Sequence, residues 1–534
     1  VLEDLGRFVE AEASYRMAFE IKPDFAAAYN NLGHALREAG RLFEAEALLR
    51  SALAISPDYA DAHCNLGAAL MALTRPEEAE ASYRRAIEVS PDFVHGHSNL
   101  GVALQAMGRL DEAAASFRKA LELAPDFVET HINLGNTLKE LGRPDEAEAS
   151  YRRAIEISQD SAEAHYNLGI ALKERGLPEE AESSYRRALA INPDYAEVHN
   201  NLGISLMDQG RQGEAEISYR RALEIKPDCA DAHNNLGTIF MNQGRLDMAE
   251  TSYRRAIQGD PNFSQAHNNL GTLLMNMGQL DLAEASYRRA IQAKPEYSEA
   301  YSNLGAVQKY LGQLDESMAS CRHALELDPD CAGAHVNLGN IQLELWQFDA
   351  AMTSYRRALE VKPEFAAAHS NLLFSFSQDE AADVQGLFAE HCRFGEQFET
   401  NLRANWPQHD NTRNPERHLQ VGFVSADLRD HAVAYFIEPV LAHLATYPQL
   451  TLHAFYNHAI GDGITQRMRA YLKHWHPIVG LSDEAVAQKI RDEKIDILID
   501  LSGHTSGNRL LTFARKPAPI QASWMGYPGT TGLQ

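Results

Sequence analysis

The tripeptide Asn-Leu-Gly recurs every 34 residues, beginning at Asn31, Asn65, Asn99, Asn133, Asn167, Asn201, Asn235, Asn269, Asn303 and Asn337. A further copy at Asn371 reads Asn-Leu-Leu. Proline keeps the same interval from Pro23 to Pro363, replaced once by Gln159, and alanine keeps it unbroken from Ala18 to Ala358. So strict an interval leaves the chain few choices. Every unit must form the same supersecondary piece, and each must bury its apolar face against the next. Ten whole units fill residues 24–363.

Residues 24–57 show what the piece is. A first helix is expected from about Phe25 to Ala39, stopped by Gly40 at its C-terminus. A second is expected from about Phe43 to Ile55, ending before Pro57. Position 29 (Tyr here, His in most copies), Leu32, Gly33 and Leu36 face the second helix, and small Gly33 and Ala52 let the two approach closely. A helical hairpin with this period and pattern is the tetratricopeptide repeat. Residues 1–376 are therefore expected to form an α-solenoid of stacked hairpins with an extended groove.

Three periodic polar positions call for a reading. One is His63, His97, His131, His165, His199, His233, His267, His335 and His369, with Tyr29 and Tyr301 in the remaining copies. Equivalent atoms of stacked hairpins lie roughly 8–10 Å apart, whereas metal ligands gather at about 2 Å from an ion. Tyrosine also substitutes freely, so packing is expected. Pairs such as Glu80–Arg84, Glu148–Arg152 and Glu216–Arg220 stand four apart on the second helix and read as solvated ion pairs. The asparagines are harder to explain by helix propensity. Each offers donor and acceptor on the face turned from the second helix. Such a ladder could grip an extended polypeptide backbone, or it could bond each repeat to the next.

The 534 residues carry a net charge of −25, which argues against nucleic acid or an anionic membrane as main partner. No apolar run reaches the ~18–20 residues of a membrane span. Cys64, Cys229, Cys321, Cys331 and Cys392 include no C-x-x-C pair and read as buried thiols of a reduced, cytoplasmic protein. The sequence starts at Val1 inside a repeat and ends in a glycine-rich run, so a fragment is expected at both ends.

After Asn371 the period breaks. Residues 379–403 read as one amphipathic helix and 404–418 as a polar linker, together a 377–418 connection. From 419 the pattern changes class. Strands are expected at 419–426, 450–456, in the short HWHPIVG run, at 495–503 and at 520–527. Helices are expected at 432–445, 464–473 and 482–493. This alternation predicts a mostly parallel, doubly wound sheet over 419–534. Ligands of such sheets bind at the strand C-termini. The loops there are Ser425–His431, Asn457–Gly463, Ser502–Gly507 and Gly526–Gly532. No G-x-G-x-x-G or P-loop pattern occurs.

Tetratricopeptide repeats followed by VGFVSADLRDHAVAYFIEPVL, DILIDLSGHTSGNRL and RKPAPIQASWMGYPGTTG resemble the O-linked N-acetylglucosamine transferase family, including its Spindly-type members. The resemblance implies a right-handed repeat superhelix followed by the N-terminal Rossmann-like lobe of a GT-B glycosyltransferase. It implies an inverting, metal-independent transfer of sugar, most simply N-acetylglucosamine from UDP-GlcNAc, to Ser/Thr of polypeptides. No cofactor is implied beyond this nucleotide-sugar co-substrate, and no metal site. The asparagines from Asn31 to Asn371 become the substrate-peptide ladder. His431 matches the active-site histidine and Asp462 a catalytic carboxylate in the next loop. His504, Thr505, Gly526, Tyr527 and Pro528 match the loops beside the sugar.

On the residues alone, His431 opens a helix, where the dipole favours a neutral ring able to accept or position a hydroxyl proton. A capping role is the plainer alternative, as is a turn role for Asp462 before Gly463. His474 and His476 match no site motif and are expected to pack. Some family members carry a second histidine four residues after the first, where this chain has Tyr435. The family's second nucleotide-binding lobe would follow Gln534, so the chain alone is expected to lack most of its donor site and to be inactive. Expected partners are extended protein substrates, the nucleotide sugar and, through the repeats, a second copy. Two alternatives stand beside this reading: a non-catalytic peptide-binding scaffold, and the same fold using GDP-fucose.

Overall fold

The computed structural model describes residues 8–378, 383–412, 414 and 416–533. They divide into two compact units, residues 1–225 and 226–534.

In the first unit the hairpins run as expected: Ala26–Glu38 with Leu42–Ile55, Ala60–Ala72 with Pro76–Val89, and so on to Gln212–Ile225. The second unit resumes the same pairing with Ala230–Asn242 and Leu246–Gly259, reaches Phe348–Val361, and ends the series with the single helix Ala366–Ser377. Each first helix closes the same way. Gly40, at φ +76°, lets its N–H bond Arg37 O at 2.9 Å, and the Arg41 N–H reaches Leu36 O at 2.8 Å. This is the Schellman closure, and it needs a left-handed residue. The glycine of Asn-Leu-Gly has a different task. A Cβ on Gly67 would stand 2.6 Å from the Tyr83 ring, so the missing side chain is the space the tyrosine fills.

The periodic histidines pack as expected, and the structure adds the reason they pair with the periodic proline. His131 Nε2–H donates to Pro125 O at 2.8 Å, and His63, His97, His199, His233, His267 and His335 repeat the bond at 2.8–3.0 Å. Where Gln159 replaces proline the distance is 3.3 Å. The glutamate–arginine pairs, expected to be merely solvated, do more. Glu80 accepts from Arg84 four residues on and, at 2.8 Å, from Arg109 of the next hairpin. Glu46 and Glu182 make the same double contact, with Arg50 and Arg75 and with Arg186 and Arg211. The spacing of four shows the first bond; only the stacking brings the second arginine.

Within the second unit, the helix Val384–Glu399 and a 3-10 turn Thr400–Asn405 lead to the lobe. Described residues of the 404–418 stretch are tied to the lobe: Trp406 Nε1 donates to Ala514 O at 2.9 Å, and Arg417 and Asn411 both bond Asp496. The lobe is a five-stranded parallel sheet in the order β3-β2-β1-β4-β5. The strands are β1 Leu419–Ser425, β2 Leu450–Tyr456, β3 His474–Pro477, β4 Ile497–Asp500 and β5 Ile520–Ser523. Helices Ala432–Leu444 and Gly463–Arg469 cover one face around Phe423, Leu441 and Met468. Helices Asp483–Asp492 and Leu510–Phe513 cover the other around Phe455, Val486 and Leu498. β4 is shorter than its apolar run because the Asp500 carboxylate bends the chain, accepting the N–H groups of Ser502 and Gly503. Among the described residues no helix is long and apolar enough to cross a membrane.

Candidate functional site

The strand order reverses between β1 and β4, and in a doubly wound sheet that reversal opens a crevice at the strand C-termini. The loops after β1 and β4 flank it. Three side-chain anchors fix the loops around it. Asn457, after β2, donates to Gly507 O at 2.8 Å and accepts from Arg509 at 2.9 Å. Arg509, largely buried, also reaches the carbonyls of Ile478 and Leu481 at 2.9 Å, and so ties the loops after β2, β3 and β4 together. Asp462 joins the loop after β2 to that after β1.

His431 stands at the end of the β1 loop as N-cap of the helix Ala432–Leu444. Its side chain is 43% exposed. Val433 N–H donates to its Nδ1 at 3.3 Å, which leaves the proton of a neutral ring on the outward nitrogen Nε2. Behind it, Asp427 Oδ2 lies 4.0 Å from Nδ1. Asp427 is buried, and burial pushes its carboxyl up, opposed by the nearby His431, Arg429 and His458. Tyr435 and Phe436, on the helix that His431 caps, are exposed, and the Tyr435 hydroxyl donates to Asp430 at 2.7 Å.

Asp462 is the N-cap of the helix Gly463–Arg469, in a capping box with Thr465. Its second oxygen accepts the Asp430 N–H at 2.6 Å. The backbone bonds from Thr465 and Asp430 hold its carboxyl below the usual range. The structure thus places Asp462 as an anchor for the loop that ends at His431.

His504 lies elsewhere than the crevice mouth. It is fully buried, with Nδ1 accepting from Ser370 Oγ and Nε2–H donating to Thr531 O, both at 3.1 Å. Phe394, His391 and Tyr527 surround the ring. Burial lowers its pKa to about 3, so it is neutral. Thr505 donates to Ser502 O at 2.8 Å and closes the turn after β4. Gly526 lies so close to the Leu501 carbonyl that any Cβ would overlap it. Tyr527 donates to His391 Nε2 at 2.9 Å, and Pro528 is exposed beyond it.

The asparagine series shows a common bond. Asn65, Asn269 and Asn303 each donate to the residue 35 positions earlier, Asn30, Asn234 and Asn268, at 2.9–3.0 Å. Asn99 reaches Cys64, Asn201 reaches Tyr166, and Asn337 reaches Ser302 in the same way, while Asn371 turns to Asn340. Asn31 is exposed and accepts from Asn30, Asn133 and Asn235 are half-buried, and Asn167 is buried. An amide has two N–H groups and a carbonyl oxygen. The inter-repeat bond takes one N–H and fixes the plane of the group.

Arg509 and Asp427 escaped the sequence reading. Neither stands in a spacing that announces a role; their importance comes from burial and from loops brought together across the sheet.

Comparison with known proteins adds to this geometry. Residues 360–534 match the model described as glycosyl transferase family 41. Tetratricopeptide models match 24–92, 298–331 and 332–365, and residues 93–301 match the cilia and flagella-associated protein 70 C-terminal domain. The chain therefore joins tetratricopeptide repeats to a segment similar to glycosyl transferase family 41, and it is similar to relatives of the O-linked N-acetylglucosamine transferase and SPINDLY type. A relative from Arabidopsis thaliana, named "Probable UDP-N-acetylglucosamine--peptide N-acetylglucosaminyltransferase SPINDLY", is 40% identical over 151 residues, 28% of this chain and 16% of the relative. The Caenorhabditis elegans UDP-N-acetylglucosamine--peptide N-acetylglucosaminyltransferase is 33% identical over 119 residues, 21% of this chain and 10% of its own length. These matches thus span well under two thirds of the relatives. A solved mutant O-GlcNAc transferase of Thermobaculum terrenum aligns with 51% of this chain and 52% of its own, at 31% identity and a TM-score of 0.47.

Proposed function

We propose that the protein to which this chain belongs transfers N-acetylglucosamine from UDP-GlcNAc to Ser/Thr hydroxyls of extended polypeptides, with inversion and without a metal in the chemical step. The observation that carries this reading is His431: an exposed ring held at the switch point of a doubly wound sheet by its own cap bond. The ring presents Nε2–H outward, which suits it to orient the acceptor oxygen. Acting as a base would require moving the ring proton to Nδ1, on the side of Asp427. His504, Thr505 and Gly526 to Pro528 shape the floor of the β4 and β5 loops on the donor side, and Asp462 holds the His431 loop. Asparagines such as Asn65, Asn269 and Asn303 offer an extended peptide the amide groups not used in the bond to the preceding repeat. Their inter-repeat bonds equally favour a second reading, a scaffold in which they only stiffen the array.

The test is mass spectrometry of a Ser/Thr-rich disordered peptide incubated with the complete gene product and UDP-GlcNAc or GDP-fucose in separate arms. A mass gain of one N-acetylhexosamine is expected; a deoxyhexose gain reassigns the donor, and no gain from either removes the enzyme reading. His431→Ala should lower turnover by about 10²-fold or more with peptide affinity intact. Replacing Asn269, Asn303 and Asn337 by Ala should weaken peptide binding beyond any loss of helicity. Binding that persists makes the ladder structural.

A further inference from the structure

A second cluster of titratable groups lies away from the crevice. Alternation along β2 puts His453 on the same face as Phe455, beneath the helix Asp483–Asp492. His476 of β3 stacks on Phe455 at 4.8 Å. Glu493 caps the C-terminus of that helix, where the chain turns back to enter β4 from its N-terminal end. The proposed sugar-transfer chemistry uses none of the three.

We propose that His453, His476 and Glu493 bind one divalent transition-metal ion of the zinc class and that this ion fastens the edge strand β3 to β2 and the overlying helix. The donor atoms of the three all lie within 4.8 Å of one another. His453 Nδ1 and His476 Nε2 are 3.2 Å apart. Two ligands of a tetrahedral ion at about 2.0–2.1 Å stand about 3.3 Å from each other. Glu493 approaches at 3.9 Å from His453 Nδ1 and 3.8 Å from His476 Nδ1.

The surroundings suit the same assignment. His453 Nε2–H donates to Gln420 Oε1 at 2.8 Å, which leaves the Nδ1 lone pair facing His476 and Glu493. A hydrogen-bonded second nitrogen is the usual support of a metal-binding imidazole. Without an ion, the single proton between the rings must sit on His476 Nε2. His476 Nδ1 then turns a lone pair toward the Glu493 carboxylate, acceptor against acceptor. An ion in place of that proton lets Nδ1 carry a hydrogen toward Glu493 Oε1. Both rings are kept neutral, the ligand form: burial, then His474, His476 and Lys473, bring His453 to about 4, and burial chiefly lowers His476, with Lys489 and His474 adding and Glu493 opposing. Two imidazoles and one carboxylate select zinc, cobalt or nickel over calcium or magnesium. Sequence spacing hid the site, because His474 and His476 alone are two apart on a strand and the third ligand comes from β2.

The test uses this chain, stripped with a chelator and titrated with Co²⁺ by visible absorption and with Zn²⁺ by calorimetry. One Co²⁺ with the intense d–d bands of a low-coordinate site is expected, displaced by Zn²⁺, with a rise in the melting temperature. His476→Gln should abolish those bands. Glu493→Gln, at a partly exposed helix end that tolerates the change, should bind Zn²⁺ at least about tenfold more weakly with unchanged circular dichroism. No binding by the parent chain at micromolar Zn²⁺ overturns the proposal. So does equal stoichiometry and affinity in the parent and in folded Glu493→Gln.

Discussion

Thr74 and Trp346 occupy the place that glycine holds in most repeats. Both adopt the left-handed backbone all the same, at φ 57° and 61°, because the stacked hairpin dictates the closure. Neither side chain is buried, so the strain is not offset by packing. Thr74→Gly and Trp346→Gly should each stabilise the array by about 0.5–1 kcal/mol, once the greater unfolded-state freedom of glycine is subtracted. A higher urea midpoint is the measurement. Gly526→Ala should do the opposite. The Leu501 carbonyl cannot yield to a Cβ, so the β5 loop must shift, and lobe stability should fall by more than 1–2 kcal/mol on the same assay. At this scale the sequence was informative wherever backbone geometry selects a residue. It named His431 correctly as a helix-opening ring but could not say which nitrogen faces outward, because that depends on one cap bond.

The hairpin is the element of this protein, and its charges work between elements. Desolvation is the largest effect on Glu80 and raises its pKa, but the bonds from Arg84 and Arg109 outweigh it and the net shift is downward. Glu182 behaves alike, with Gln209, Arg186 and Arg211 as partners. A carboxylate lowered in the fold contributes stability that is present above its unfolded pKa, near 4.5, and lost as pH falls through the folded value. Glu80→Gln should therefore cost about 1 kcal/mol or less at neutral pH and less at about pH 4, below the unfolded pKa. Parallel melts at the two pH values check this. High salt should weaken the same contacts. The Glu–Arg spacing of four was legible; the 29-residue bond to the next hairpin was not, since it exists only once hairpins are stacked.

For the molecule as a whole, the two units should differ in acid. In residues 226–534, burial lowers the pKa of His369, His391 and His476, and brings His453 to about 4 and His504 to about 3. In residues 1–225 only His165 and His199 are clearly lowered among the described residues. A histidine kept neutral by the fold takes up its proton first in the unfolded state, near pH 6.5. Stability is then full above that pH and falls progressively toward the folded pKa. Hydrogen exchange at pH 7 and pH 5 should show a larger loss of protection in the second unit. Equal losses would show that burial of these rings is not what limits it.

The period of 34 by itself determined the hairpin, its glycine closure and its close helix contacts, because local geometry allows few residues at those points. Strand and helix alternation likewise determined the doubly wound lobe and the loops that matter in it. Tertiary structure alone decided that His504 turns inward to Ser370, that Arg509 ties three loops, and that His453 meets His476 and Glu493. Each of these joins residues far apart in the chain, and burial, unlike periodicity, leaves no regular mark on a sequence.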